Sequence, residues 1–313
     1  MMRFNILIII AIIICGNIDV IAQCCGAGNP ILSGNGESNL NKGTLQLFFD
    51  YMGSRSDNYY EGSHISDIEF PGKIDASGYN FLSLGVGYGI TRNLTVQANM
   101  GYYINKYENY KSDLFPNINA NGFGDLSLTA NYAVYKNLRK GISIAPFITV
   151  KFPVGKFDCV SDGVKLPIAM QPSSGSFKYS GGIFAWWRPF SKWYFTTYDF
   201  FEYSQLIKSK NFNYQYGPLS YVSLSGNCHI IEPLDVGLIF SYENKGRAKS
   251  DGRVLHGTKY QQIKLTPALY YKFIPNMQIS AQFGIPVWRD VEMIQMANSW
   301  NMQFSIIYNL KIF

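Results

Sequence analysis

A chain of 313 residues with 16% aromatic and only 15% charged residues is poorer in charge than the roughly 25% of a typical soluble domain. No long apolar run follows the first stretch, which excludes a helical membrane protein. The formal charge of +6 is scattered among turns and loops without the clustered basic stripe that nucleic-acid binding needs, and nucleic acid is excluded as a partner.

Residues 1–22 open with Arg3, continue through the apolar run from Ile6 to Cys15, and end on Val20-Ile21-Ala22. This is the pattern of a cleaved N-terminal signal peptide, and its apolar run falls well short of a spanning helix. A lipid anchor is not expected, since Cys24 follows Gln23 and Cys15 follows Ile14 instead of a small residue. The next segment, 23–43, is rich in Gly, Asn and Ser and reads as a periplasmic N-terminal segment and candidate plug. Cys24, Cys25, Cys159 and Cys228 remain after the leader; they fit an oxidising compartment without defining a pairing.

From residue 44 onward the pattern has period two. Twelve segments alternate apolar with small or polar residues: 44–52, 79–91, 94–104, 123–135, 141–153, 175–188, 192–204, 217–230, 234–245, 259–273, 276–288 and 299–313. In 94–104, Leu94, Val96, Ala98, Met100 and Tyr102 oppose Thr95, Gln97, Asn99 and Gly101. In 299–313, Trp300, Met302, Phe304, Ile306, Tyr308, Leu310 and Ile312 oppose Asn301, Gln303, Ser305 and Asn309. One face suits lipid and the other water. Short turns at 91–93, 136–140, 188–192, 231–234 and 274–276 alternate with long polar loops, the build of an outer-membrane barrel whose short side faces the periplasm.

The expected fold over 44–313 is therefore all-β: a transmembrane antiparallel up-and-down β-barrel of about twelve strands, closed because an unpaired edge in hydrocarbon leaves backbone groups unsatisfied. Both termini are expected in the periplasm. A soluble β-sandwich would also alternate, but twelve charge-poor strands offer more apolar surface than two sheets bury. Tyr102, Tyr103, Trp186, Trp187, Trp193, Tyr194, Tyr270, Tyr271, Trp288 and Trp300 fall near strand ends, where interfacial girdles form. Pro146, Pro267 and Pro286 lie inside predicted strands and call for bulges or different boundaries. The final strand ends on Phe313, a terminal aromatic of the kind barrel-assembly machinery recognises, although the apolar alternation is in register with Ile312.

Gly124-Asp125-Leu126-Ser127-Leu128 opens one strand, and Lys151-Phe152-Pro153-Val154-Gly155 closes the next. Over residues 80–313 the chain thereby resembles the outer-membrane transporter-like proteins named for the meta-pathway of phenol degradation. Val154 stands where the family's Pro-Thr-Gly turn has Thr. The resemblance implies a barrel that moves small, often hydrophobic, molecules, and it transfers no binding residue.

Chemistry is sparse. His64-Ile65-Ser66 has the spacing of a barrel phospholipase pair but sits in the first long loop, and no enzyme is expected. Cys228-His229 and Cys24-Cys25 do not reach the four ligands at defined spacing that zinc requires; neither metal nor cofactor is expected. The inward faces supply the candidate lumen lining: Gln97, Asn99, Asp125, Asn131, Lys151, Lys178, Asp235, Glu243, Gln262, Lys264, Lys272 and Gln282. The expected function is a channel or uptake protein for a small solute in the outer membrane, with lipid as its surroundings. The alternative is a non-conducting accessory barrel of an envelope complex.

Overall fold

The computed structural model describes residues 39–312 apart from Leu138, Asp162, Ser209, Lys210 and Asn211. The signal peptide, Cys15, Cys24, Cys25, most of segment 23–43 and Phe313 lie outside the described residues.

Period-two patterning produces ten long strands up to residue 274. They are β1 Thr44–Gly62, β2 Ile74–Gly89, β3 Leu94–Tyr110, β4 Ile118–Tyr132, β5 Ile142–Phe152, β6 Lys178–Trp187, β7 Trp193–Ser204, β8 Leu219–Ile231, β9 Leu234–Lys245 and β10 Tyr260–Ile274. Each pairs antiparallel with its neighbour in sequence. The last element, Met277–Lys311, is 35 residues long. Its first part, β11 (277–291), is antiparallel to β10, and its second part, β12 (294–311), is antiparallel to β1. Since β10 and β1 run in opposite senses, so do β11 and β12, and the chain reverses at Met293 with φ 59°. Phe283 and Trp300 stack across this hairpin at 5.9 Å. Eleven continuous elements thus make twelve staves, and β12 on β1 closes the cylinder.

Most strands outrun the sequence reading at the loop end, β3 to Tyr110 and β4 from Ile118 among them. β1 and β2 extend to Gly62 and from Ile74, and β11 runs into β12 through a tight tip where a long loop is expected. Cross-strand pairing carries these hairpins past the apolar belt, where periodicity alone gives no signal. The prolines do not each require a bulge. Pro146 sits where pairing with β4 has ended, and Pro267 falls in a gap of the β10–β11 ladder whose register is unchanged on either side. Pro286 alone lies beside a register shift, between Ile263 and Lys264. In each case the missing N–H faces an interruption in the ladder.

Short turns at 90–93, 188–192, 232–233 and 275–276, with the 133–141 connection, mark one end of the barrel; the long loops mark the other. Both described chain ends lie at the short-turn end, where Gly43 N donates to Gly89 O and Ile312 N donates to Gly43 O. Outward residues such as Leu128, Val222, Leu224, Leu238 and Phe240 are exposed, and their inward neighbours are largely buried. The aromatic pairs split by the same rule. Trp187, Trp193, Tyr102 and Tyr271 face outward, whereas Trp186, Tyr194, Tyr103 and Tyr270 belong to the inner face. The expected girdle therefore holds only part of these rings, because adjacent strand residues cannot share a face.

Inside, large rings lie over glycines. A Cβ at Gly85 would meet the Phe48 ring at 2.0 Å, and one at Gly182 would meet Phe147 at 2.6 Å. Rings on inward glycines fill a narrow lumen without straining the wall. Gly85→Val overpacks this contact, and we expect a loss of roughly 1–3 kcal/mol, read as a lower urea midpoint for the barrel in lipid vesicles.

Candidate functional site: a loop-capped chamber in the lumen

The longest connection, 153–177 between β5 and β6, folds into the barrel mouth. It contains a short hairpin, Val160–Ser161 with Val164–Lys165, and a single 3-10 turn, Ile168–Met170. Met170 is fully buried with Ala120, Cys159 and Leu166, so the loop carries its own small core. Gln171, also buried, accepts from Cys159 N at 2.9 Å and donates to Leu166 O at 2.9 Å. These bonds close the loop on itself.

Asp125 of β4 holds the loop to the wall. Ser173 Oγ donates to it at 2.6 Å, Ser174 Oγ at 2.5 Å and Ser174 N at 3.1 Å. Lys106 Nζ adds a bond to Gln171 O at 3.1 Å, and Tyr216 OH donates to Ser174 O at 3.0 Å. Asp125 is thus not a free lumen carboxylate; its charge is committed to fixing the cap.

Below the cap lies a chamber of about 660 Å³. Of the sequence-predicted lining, Asn99, Asp125, Lys151, Lys178, Glu243, Gln262 and Lys264 border it. The others sit elsewhere on the inner face. Asn131 is buried beside Asn39, which donates to its carbonyl at 3.2 Å, and Leu40 N donates to Thr95 Oγ1 at 2.9 Å, so residues 39 and 40 turn into the short-turn mouth. Gln97 packs near Gly87, and Gln282 is buried opposite Ala268. Asp235 bonds His229 Nδ1 at 2.6 Å and accepts from Tyr194 OH at 3.3 Å. Lys272 has inward parity but is exposed at the rim, where β10 leaves the barrel, and does not line the lumen.

The chamber wall is ionic along β5–β10. Glu202 receives Lys151 at 2.8 Å and lies 3.8 Å from Lys178. Glu243 pairs with Lys264 at 3.3 Å and accepts from Tyr260 OH at 2.5 Å and Gln262 at 3.1 Å. Beside these charges stand stacked rings: Phe147 on Tyr198 at 5.0 Å and 5°, and Phe200 on Tyr221 at 5.3 Å and 24°. Sequence reasoning missed Glu202 and Asp50. Asp50 is buried, with Ser305 Oγ donating at 2.5 Å and Ser83 Oγ at 3.2 Å. The inward parity of both was available, since Asp50 shares a face with Gln46 and Glu202 with Ser204.

Beyond the chamber, the loop end is tied together by Glu292 at the β11–β12 tip. Arg247 donates to it through Nε at 2.8 Å and Nη2 lies at 2.6 Å; Gly257 N donates at 3.3 Å, and His256 Nδ1 lies at 3.2 Å. The Arg247 hydrogen bond is the main cause that lowers the Glu292 carboxyl to about 2. The remaining residues of interest lie apart from the chamber lining. His64 is exposed on an outer hairpin, Cys228 points opposite to its neighbour His229, and Cys159 and Cys228 are both free thiols.

An apolar outer wall, a polar and aromatic lumen and an inward cap define a membrane-spanning β-barrel of the outer-membrane kind. The chain belongs to the family described as "Putative MetA-pathway of phenol degradation", whose model matches residues 107–304. The structure is similar to the COG4313 outer membrane channel from Pseudomonas putida F1, with a TM-score of 0.68 at 14% identity over 87% of this chain and 97% of that one. The NanC porin matches with a TM-score of 0.49 at 11% identity, covering 84% of this chain and 100% of that one. The beta domain of the Bordetella autotransporter BrkA matches at 0.49 and 9%, covering 86% and 100%. The sequence matches no curated protein.

Two outcomes follow from these contacts. Asp125→Ala removes the acceptor of three bonds, and loop 153–177 is expected to be cut by trypsin roughly tenfold faster, at Lys156 or Lys165, with the barrel still folded. The Glu292 clip has a folded-state pKa below its ordinary value of 4.5. Its stabilisation is present above that value and is lost as pH falls towards about 2. Protection of the Gly257 amide against exchange, relative to its intrinsic rate at each pH, should fall across that window in the native protein and show no such step in Glu292→Gln.

Proposed function

We propose that this protein is a passive outer-membrane channel for a small solute, with the long loops outside and the short turns and both termini in the periplasm. The observation that carries the reading is the capped chamber: a barrel serving only as a scaffold has no need of an ordered loop suspended over an open, polar space. Orientation rests on the usual asymmetry of such barrels, short turns inside and long loops outside. The reading includes barrel-assembly machinery that engages the last strand, β12, and the lipid of the outer membrane as the partner of the apolar wall.

The reading includes no covalent catalysis. His64 lies on an exposed hairpin away from the chamber, and general acid–base chemistry needs a base within reach of its substrate. Passage is by diffusion through the chamber. Residues 39 and 40, seated in the short-turn mouth against Thr95 and Asn131, support a role for segment 23–43 as a plug at that end.

Planar-bilayer recording tests both parts. The purified, heat-modifiable protein should give stepwise currents, and removal of residues 23–38 should raise the unit conductance. Silence in both forms, with the gel shift of a folded barrel intact, overturns the channel.

A further inference from the structure

We infer that the chamber is a binding site for a hydroxylated ring solute with a single carboxylate, an acidic saccharide, and that Lys178 is its anion anchor. The inference rests on the channel reading for its purpose, but its chemistry is read from the lining alone.

Lys178 opens β6 at the chamber edge, and its side chain is about one-fifth exposed. Its Nζ lies 3.8 Å from Glu202 Oε1, beyond hydrogen-bond reach, and 4.6 Å from the centre of the Tyr216 ring. Among the described residues it has no hydrogen-bond acceptor. Glu202 is already engaged by Lys151 at 2.8 Å and by Ser180 at 3.3 Å, so the Lys178 ammonium shares its charge with Glu202 across 3.8 Å while its N–H donors remain open to a guest. An ammonium held in a partly enclosed site binds a carboxylate through short, charge-assisted bonds. The wider count agrees, because among the described residues five lysines face four carboxylates around the chamber. That balance favours one negative charge on the solute and disfavours two.

The rest of the lining selects what carries the charge. Tyrosines supply much of the surface, among them Tyr79, Tyr103, Tyr198 and Tyr221, with amides at Asn99 and Gln262. Flat rings offer a face for the C–H side of a sugar ring, and hydroxyl and amide oxygens are able to accept from its OH groups. The volume, within the usual range of ligand pockets, has room for a short saccharide.

The test is calorimetric titration of the detergent-purified full chain with glucuronate, glucose and benzoate, beside ion-current block by the same solutes. Glucuronate should bind about tenfold more tightly than either of the others, a difference that calorimetry resolves. Lys178→Gln should lower glucuronate affinity to the level of glucose on the wild type, and Lys178→Arg should recover most of it, both with the folded gel shift retained. Equal affinities for glucuronate and glucose remove the anion anchor. Tightest binding of benzoate replaces the saccharide with an aromatic acid and overturns the inference. Currents without binding of glucuronate leave the channel standing and sink the substrate class; glucuronate binding without currents supports the site and sinks the channel.

Discussion

Backbone hydrogen bonding inside hydrocarbon is the constraint on which everything else in this molecule depends. With no water to take an unpaired N–H or C=O, a sheet in the bilayer must have no edge. The pairing of β12 with β1, from Thr44↔Lys311 up to Glu61↔Ile294, removes the last one. Once the cylinder is closed, strand parity divides every residue between lipid and lumen. The wall is specified by the membrane, and the inner face is left to specify the solute.

Parity also explains how much could be read from the sequence. The faces of β3, β4 and β12 follow directly from alternation, and so do the turns at 90–93 and 188–192, where composition changes abruptly. The same rule, applied one residue further, separates Trp186 from Trp187 and Tyr270 from Tyr271, which a count of aromatics near strand ends does not. The site is less legible. Asp125 and the loop serines are 48 and 49 positions apart, and nothing in a Pro-Ser-Ser-Gly-Ser run says that it turns inward. Glu202 and Asp50 share an inner face with their strand neighbours, yet their partners come from other staves. Long-range pairing of this kind has no local signature.

The interior carries its charges in groups and not as a uniform ring. Asp125 is committed to the cap, Asp50 to a knot of Ser83, Ser305 and Gln303, Asp235 to His229, and Glu243 to Lys264, Tyr260 and Gln262. Each carboxylate has several donors, as partly buried charges require. Such bonds stiffen the wall and leave little carboxylate surface free for a passing solute. Lysine chemistry and aromatic faces then set the character of the chamber.

The anchoring of loop 153–177 by one carboxylate and two serines separates two properties that are fused in a plain cylinder. Strand number fixes the width of the hole, but the mesh of the sieve is set by a segment hung across it, outside the hydrogen-bonded wall. Changes in that segment reshape the bore without touching a rung of the ladder. A barrel built this way is free to vary its interior while keeping its fit to the membrane.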